Sequence, residues 1–256
     1  MLKWVRNINL AEKSMIFREK ATTRIDDFGA DGYMLLPALL KVLENAADHH
    51  SAAVADESVE DSMHGVAWIL AEWRVELIKP PAFNDEICVE TWISDGAAAA
   101  YSNREFLVLD KDGTALVKAS AKLTLFDLCE NRIIRTDRSV LEKYLPEGKT
   151  VFSEKSRRLV PAKSFSGETT FSLRRSDIDY NGHVHNTNYL CFAQEVLPES
   201  AAQSTAIASF RISYKRPLRF GDCVVIKSAE ENGVRNICIF GNGELCAVVE
   251  IVQKSI

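Results

Sequence analysis

No apolar run in these 256 residues approaches the roughly 20 needed to cross a bilayer, so a membrane-spanning helix is excluded. Nor is a leader expected. Met1-Leu2-Lys3-Trp4-Val5-Arg6-Asn7-Ile8-Asn9-Leu10 is too broken by polar residues for a signal peptide, and the cytoplasm is the expected location. An excess of positive charge is also missing: the formal net charge is −5, which excludes an overall basic field for nucleic acid. Local basic clusters occur at Arg157-Arg158, at Lys163 and along Arg211, Lys215, Arg216 and Arg219. Each is either a solvated strand face or a surface for an acidic partner. The six cysteines contain no C-x-x-C pair and no metal-like spacing. Cys238 and Cys246 flank an Asn242-Gly243 turn that pairs 238 with 247 and 239 with 246, sending the two sulfurs to opposite faces. Free thiols in a reducing compartment follow. No Gly-x-Ser-x-Gly elbow offers a serine nucleophile.

What the chain does have is internal repetition. Arg74, Pro80, Phe83 and Asp85 recur as Arg211, Pro217, Phe220 and Asp222, each 137 positions later and without a gap. Around Arg74 and Arg211 apolar residues alternate with polar ones, the period of a half-buried strand. The pattern predicts strands over 70–79, 86–93, 101–109 and 114–125, and again over 206–216, 223–230, 234–240 and 244–253. Lys111-Asp112-Gly113, Glu231-Asn232-Gly233 and Asn242-Gly243 supply the turns. A further strand precedes each set, over 15–23 and 168–175. Between strand and set lies a helix: 36–47, with Pro37 at its first turn, and 187–197, capped by Asn186 or Thr187 and stopped by Pro198. The first helix is apolar most of the way round, so it is buried. A buried helix wrapped by a curved antiparallel sheet, twice over, is an α+β arrangement. Residues 1–140 then form the first unit, 141–166 the linker and 167–256 the second unit.

The chemistry-bearing stretch is Asp179-Tyr180-Asn181-Gly182-His183. A carboxylate, a carboxamide and an imidazole stand at alternate positions just before a helix, whose N-terminal N–H groups favour negative charge. Thioester hydrolysis needs those parts: a base for water and donors at the carbonyl oxygen. The competing reading is a polar turn and cap. The first copy has Asp26-Asp27-Phe28-Gly29-Ala30-Asp31-Gly32-Tyr33 at this place and no histidine, although both copies must make the turn. His183-x-His185 with Asp179 could also ligate a metal, and His49-His50 reads as a polar helix end.

Asp179-x-Asn181-Gly182-His183-Val184-x-Asn186-x-x-Tyr189 resembles the signature of hotdog-fold thioesterases, and more closely that of the tandem-hotdog acyl-acyl-carrier-protein (acyl-ACP) thioesterases of bacteria and plants. Gly65-Val66-Ala67-Trp68, Pro81, Glu90-Thr91-Trp92, and Glu44-Asn45-Ala46 with His50 are similar to that family's first half. The resemblance implies a double hotdog that hydrolyses fatty acyl-ACP, releases free fatty acid and uses no cofactor. It makes Asp179, Asn181 and His183 the catalytic set and acyl carrier protein the partner. The acyl chain is expected in the first unit, the richer in Leu and Trp, and a homodimer stays open. Plant members carry Glu-Cys where this chain has Pro217-Leu218, so a cysteine nucleophile is excluded there and an acidic fourth residue comes from elsewhere or is absent; Glu195 is either that residue or a helix-end carboxylate paired with a nearby Arg, and it is left out of the catalytic set. Acyl-CoA as donor, a non-catalytic acyl-binding module and a dehydratase are the rival readings on the same fold.

Overall fold

Each half of the chain opens with a short strand and a tight loop, buries a helix, and then lays down antiparallel strands. The computed structural model describes residues 16–56, 65–95 and 99–254; the Met1–Leu10 segment considered above lies outside them. The first half contains β1 (Phe17–Lys20), α1 (Leu36–Ala53), β2 (Val66–Leu77), β3 (Cys88–Ile93), β4 (Ser102–Leu109), β5 (Ala115–Asp127), β6 (Arg132–Ile134) and α2 (Arg138–Lys143). The second contains β7 (Gly167–Phe171), α3 (Asn188–Glu195), α4 (Glu199–Ala202), β8 (Ile207–Tyr214), β9 (Val224–Glu231), β10 (Val234–Gly241) and β11 (Glu244–Gln253). No helix of the described residues is long and apolar enough to cross a membrane.

The strands form one sheet in the order β1-β3-β4-β5-β2-β8-β11-β10-β9-β7, with β6 added to β5. The halves meet at β2 and β8, where Arg74 stands opposite Arg211, Trp73 opposite Ile212 and Val75 opposite Phe210. Adding 137 to one member of each flanking pair exchanges the two, so the repeats are related by a twofold through the Arg74–Arg211 rung. A single core runs across that seam. Leu36, Leu39, Leu40 and Leu43 of α1 and Tyr189, Leu190 and Phe192 of α3 pack with Trp73, Val75, Phe210 and Ile212 from the sheet. Each large apolar side chain so buried contributes about 1.5–3 kcal/mol. This is a tandem hotdog, two helices wrapped by a shared antiparallel sheet.

The helix boundaries depart from the periodicity in both halves. α1 runs six residues past the expected end, because His50 is buried rather than solvated. Its ring stacks on Phe17 at 5.2 Å, and Arg104 Nη1 donates to its Nδ1 at 3.0 Å. α3 stops at Glu195, and Pro198 becomes the cap of α4 instead of the stop of α3.

One register also differs. Asn242 and Gly243 close a two-residue turn with φ of 50° and 83°, and Gly241 pairs with Glu244 as the turn demands. An extra residue, Cys246, then bulges out of β11, so that Ile239 faces Ala247 and Cys238 faces Val248. The bulge carbonyl accepts the N–H groups of both Lys215 and Arg216, as Leu116 O accepts those of Ile78 and Lys79 in the first half. The sulfurs still lie on opposite faces: Cys246 joins the main core, and Cys238 packs with Leu159 and Val248 on the other side.

Residues 149–166 cross that outer face of the sheet. Trp92 Nε1 donates to Lys149 O (2.9 Å), Arg74 Nη1 to Glu154 O (2.9 Å), and Ser166 N–H to Ser228 O (2.9 Å). Arg211, set against Arg74, is neutralised by ion pairs with Glu72 and Glu250, and Arg157 of the crossing stretch also pairs with Glu250.

Candidate active site

The Asp179–His183 loop is a closed turn, and both halves build it with the same bonds. Asp179 N–H donates to His183 O (2.8 Å) and Gly182 N–H to Asp179 O (3.0 Å). In the first half Gly29 N–H donates to Tyr33 O and Gly32 N–H to Gly29 O, both at 2.9 Å. Gly32 and Gly182 adopt φ of 77° and 76°, a conformation that strains any residue with a Cβ. Ahead of the turns, Asp27 and Asp177 accept the N–H of Arg24 and Arg174, each at 2.7 Å. The two loops therefore correspond at an offset of 150 residues, with Gly29, Asp31 and Tyr33 standing where the second half has Asp179, Asn181 and His183. Closing the turn does not require the carboxylate, the carboxamide and the imidazole.

Of the three, the fold brings Asp179 and His183 together and leaves Asn181 at the rim. Asp179 Oδ1 accepts the N–H of Asn181 (2.8 Å) and of His183 (3.2 Å), so it also braces the turn. The Asn181 side chain is exposed at the tip, next to Tyr180, which is 92% exposed. His183 is half-buried, and its Nε2 is buried without a hydrogen-bond partner among the described residues. Burial holds the His183 imidazolium below its usual range; nearby Arg219 adds to that, and Asp179 works against it.

Two expectations need correction. The N–H groups of Asn188, Leu190 and Cys191 bond to carbonyls of the loop and first turn, and that of Thr187 reaches His185 Nδ1 at 3.4 Å. The start of α3 is therefore largely occupied, with only the Tyr189 N–H outside these bonds. Glu195 is exposed and exerts its charge on Arg174, the helix-end alternative rather than an acidic member of the loop. Of the basic clusters, Arg157, Arg211 and Arg216 are committed to Glu250, Glu72 and Glu244. Arg158, Lys163, Lys215 and Arg219 are exposed. Among the described residues no three His, Cys, Asp or Glu side chains converge as a metal-binding set.

A residue assigned no role from the sequence comes up beside the end of the loop from the other half. Glu44, in the third turn of α1, lies 3.8 Å from His185 Nε2 through its Oε2, while its Oε1 is buried without a partner. The available signal was an acid on a helix apolar most of the way round. Two clefts, of about 690 and 850 Å³, open elsewhere, between residues 150–158 and the outer sheet face. Neither is lined by Asp179, Asn181 or His183.

Fold and loop together define a tandem hotdog whose second repeat alone carries a carboxylate, a carboxamide and an imidazole in the turn. The family models described as the acyl-ACP thioesterase N-terminal and C-terminal domains match residues 14–144 and 162–247. The chain belongs to the acyl-ACP thioesterase family. It is 23% identical over 235 residues to the chloroplastic oleoyl-acyl carrier protein thioesterase 1 of Arabidopsis thaliana, covering 84% of this chain and 64% of that protein. It is 25% identical over 216 residues to the chloroplastic dodecanoyl-[acyl-carrier-protein] hydrolase of Cinnamomum camphora, covering 79% and 56%. The chain thus spans less than two thirds of either plant relative. The crystal structure of an acyl-ACP thioesterase from Bacteroides thetaiotaomicron superposes with a TM-score of 0.84 at 21% identity, over 94% of this chain and 98% of that one.

Proposed function

We propose that the chain hydrolyses the thioester joining a fatty acyl chain to acyl carrier protein, and so ends chain elongation by releasing free fatty acid. The observation that carries this reading is the duplicated turn: identical bonds close it in both halves, and only the second half arms it with Asp179, Asn181 and His183. Asp179 and His183 orient the attacking water and take its proton, with the unpartnered Nε2 of His183 as the accepting atom. Asn181, exposed at the rim, offers its carboxamide N–H to the thioester carbonyl as negative charge develops there. The acyl chain lies along the apolar first half beside α1. No step needs a cofactor, and the free cysteines suit an enzyme working in the reducing cytoplasm.

Single-turnover hydrolysis of acyl-ACP by Asp179→Ala and His183→Ala tests the assignment, with circular dichroism as a check on folding. Both variants are expected to lose at least about 100-fold in rate. Full rate in both, with the fold intact, would overturn it. The carrier protein is acidic, so the exposed Arg158, Lys163, Lys215 and Arg219 predict a rate that drops as salt screens them. A rate indifferent to salt, or equal with acyl-CoA, would point to the coenzyme thioester as donor.

A further inference from the structure

The loop is complete in one repeat, yet an acid of the other repeat comes up beside the residues that follow it. Glu44 projects from α1 of the first half toward His185, which follows the loop in the second half. Its surroundings are uneven. Lys41 and Asp48 flank it on its own helix, Trp73 of β2 and Tyr214 of β8 face it from the sheet, and His185 closes the remaining side. The Tyr214 hydroxyl is turned to Asn186 O, donating at 3.0 Å. Both Glu44 Oε1 and Trp73 Nε1 are buried without a hydrogen-bond partner. The Trp73 N–H favours the carboxylate but does not complete a hydrogen bond to it. Burial, with Asp48 adding to it, pushes the Glu44 carboxyl up to about 8, and the Trp73 N–H and Lys41 only partly oppose the rise.

His185 is oriented by its neighbours. Its Nδ1 accepts from the Thr187 hydroxyl at 2.9 Å and from the Thr187 N–H at 3.4 Å, which assigns the ring proton to Nε2, the atom facing Glu44. The twofold-related place carries no titratable pair. Nine residues separate His185 from Gln194 as they separate Leu35 from Glu44, and Gln194 is spent on Ala202 O at 2.9 Å. Where α1 meets the segment leading into α3 stand an acid and an imidazole; where α3 meets the segment leading into α1 stand an amide and a leucine.

Resting on the hydrolase reading above, we propose that Glu44 is a catalytic acid lent by the first half to the loop of the second, giving a proton to the sulfur of the departing thiol. Water adds to the thioester carbon while Asp179 and His183 take one of its protons, forming the new carbon–oxygen bond. The carbon–sulfur bond then breaks with its electron pair on sulfur. Glu44 supplies the proton that completes the thiol and is left as a carboxylate. The proton taken from water returns to Glu44 through solvent before the next turnover. One carboxylic acid and one thiol result, and nothing is oxidised or reduced. The match to the chemistry is close, since an alkyl thiol such as cysteine has a pKa of about 8.5.

Glu44→Gln tests this. It keeps the shape of a carboxyl that is largely neutral near pH 7, and thermal melting confirms the fold. With an alkyl thioester donor the variant is expected to lose about 100-fold or more in single-turnover rate. With an aryl thioester, whose thiolate departs without needing a proton, it should lose little. The wild-type rate on the alkyl donor should fall above pH about 8, where the acid form is depleted, and that fall should vanish in the variant. Equal losses on both donors, or no loss on either, overturn the proposal. Asp179→Asn should slow both donors alike, so its result judges the water-activating pair alone. A wild-type chain that frees thiol from neither donor would remove both readings together.

Discussion

Replacing Asp179 by Asn and by Ala separates the turn from the chemistry. The carboxylate oxygen Oδ1 accepts two backbone N–H groups, from Asn181 at 2.8 Å and His183 at 3.2 Å. Each such bond contributes about 0.5–1.5 kcal/mol net, so Asp179→Ala should cost about 2 kcal/mol. In a chain of this size that is roughly 4–8 °C in Tm. The fold survives, because the first half closes the same turn with Gly29 at this place. Asp179→Asn keeps an acceptor oxygen in position and should melt within about 2 °C of wild type. Its charge is gone, however, and single-turnover hydrolysis should fall about 100-fold or more in both variants. Differential scanning calorimetry and a rapid-quench assay on one acyl-ACP supply the four numbers. An Asn variant with wild-type rate would show that the negative charge does no chemistry. An Ala variant with wild-type Tm would show that the oxygen does not hold the turn.

Three more outcomes follow from the geometry. Burial and Arg219 both disfavour the His183 imidazolium, so the acid limb of the rate profile should lie below pH 6.5, and Arg219→Gln should move it upward toward that value; a limb that stays put excludes the contact. Arg211→Ala leaves Glu72 without its cation on a strand at the seam, Glu250 keeping Arg157, which should cost about 3 kcal/mol and lower Tm on the order of 10 °C; a melting point within a degree or two of wild type would contradict the buried ion pair. Thiol titration of the native protein should label exposed Cys129 and Cys223 quickly and buried Cys238 and Cys246 slowly, with six thiols counted after denaturation without reductant. Fewer than six would reveal a disulfide.

The fold was legible wherever a physical period or a turn rule acts alone. The constant offset through Arg74 and Arg211 marked the two strands that form the seam, and Asn-Gly pairs marked hairpins that close as expected, with positive φ at Asn232, Gly233, Asn242 and Gly243. What escaped depends on neighbours distant in sequence. The bulges at Leu116 and Cys246 arise where a strand end from the seam docks two N–H groups on one carbonyl, which no local pattern announces. His49-His50 resembles a helix end because polarity was read as exposure, yet Arg104, 54 residues on, supplies a buried donor for His50. At the site, the loop stood out because polar residues alternate there. Glu44 did not, because a single acid on a helix normally faces water, and only the packing of α1 against the second half shows otherwise. The occupied N–H groups at the start of α3 were hidden for the same reason: their partners lie in how the loop folds back on itself.

Two identical subunits paired about a true dyad would be obliged to carry the same side chain at both related places. Joining the repeats in one polypeptide removes that obligation, and Leu35, Gln194 and Gly29 are residues that only an unburdened copy can adopt. Cutting the chain between the halves should accordingly give two peptides, each inert by itself, with turnover restored only when both are mixed and the severed Arg74–Arg211 border re-forms.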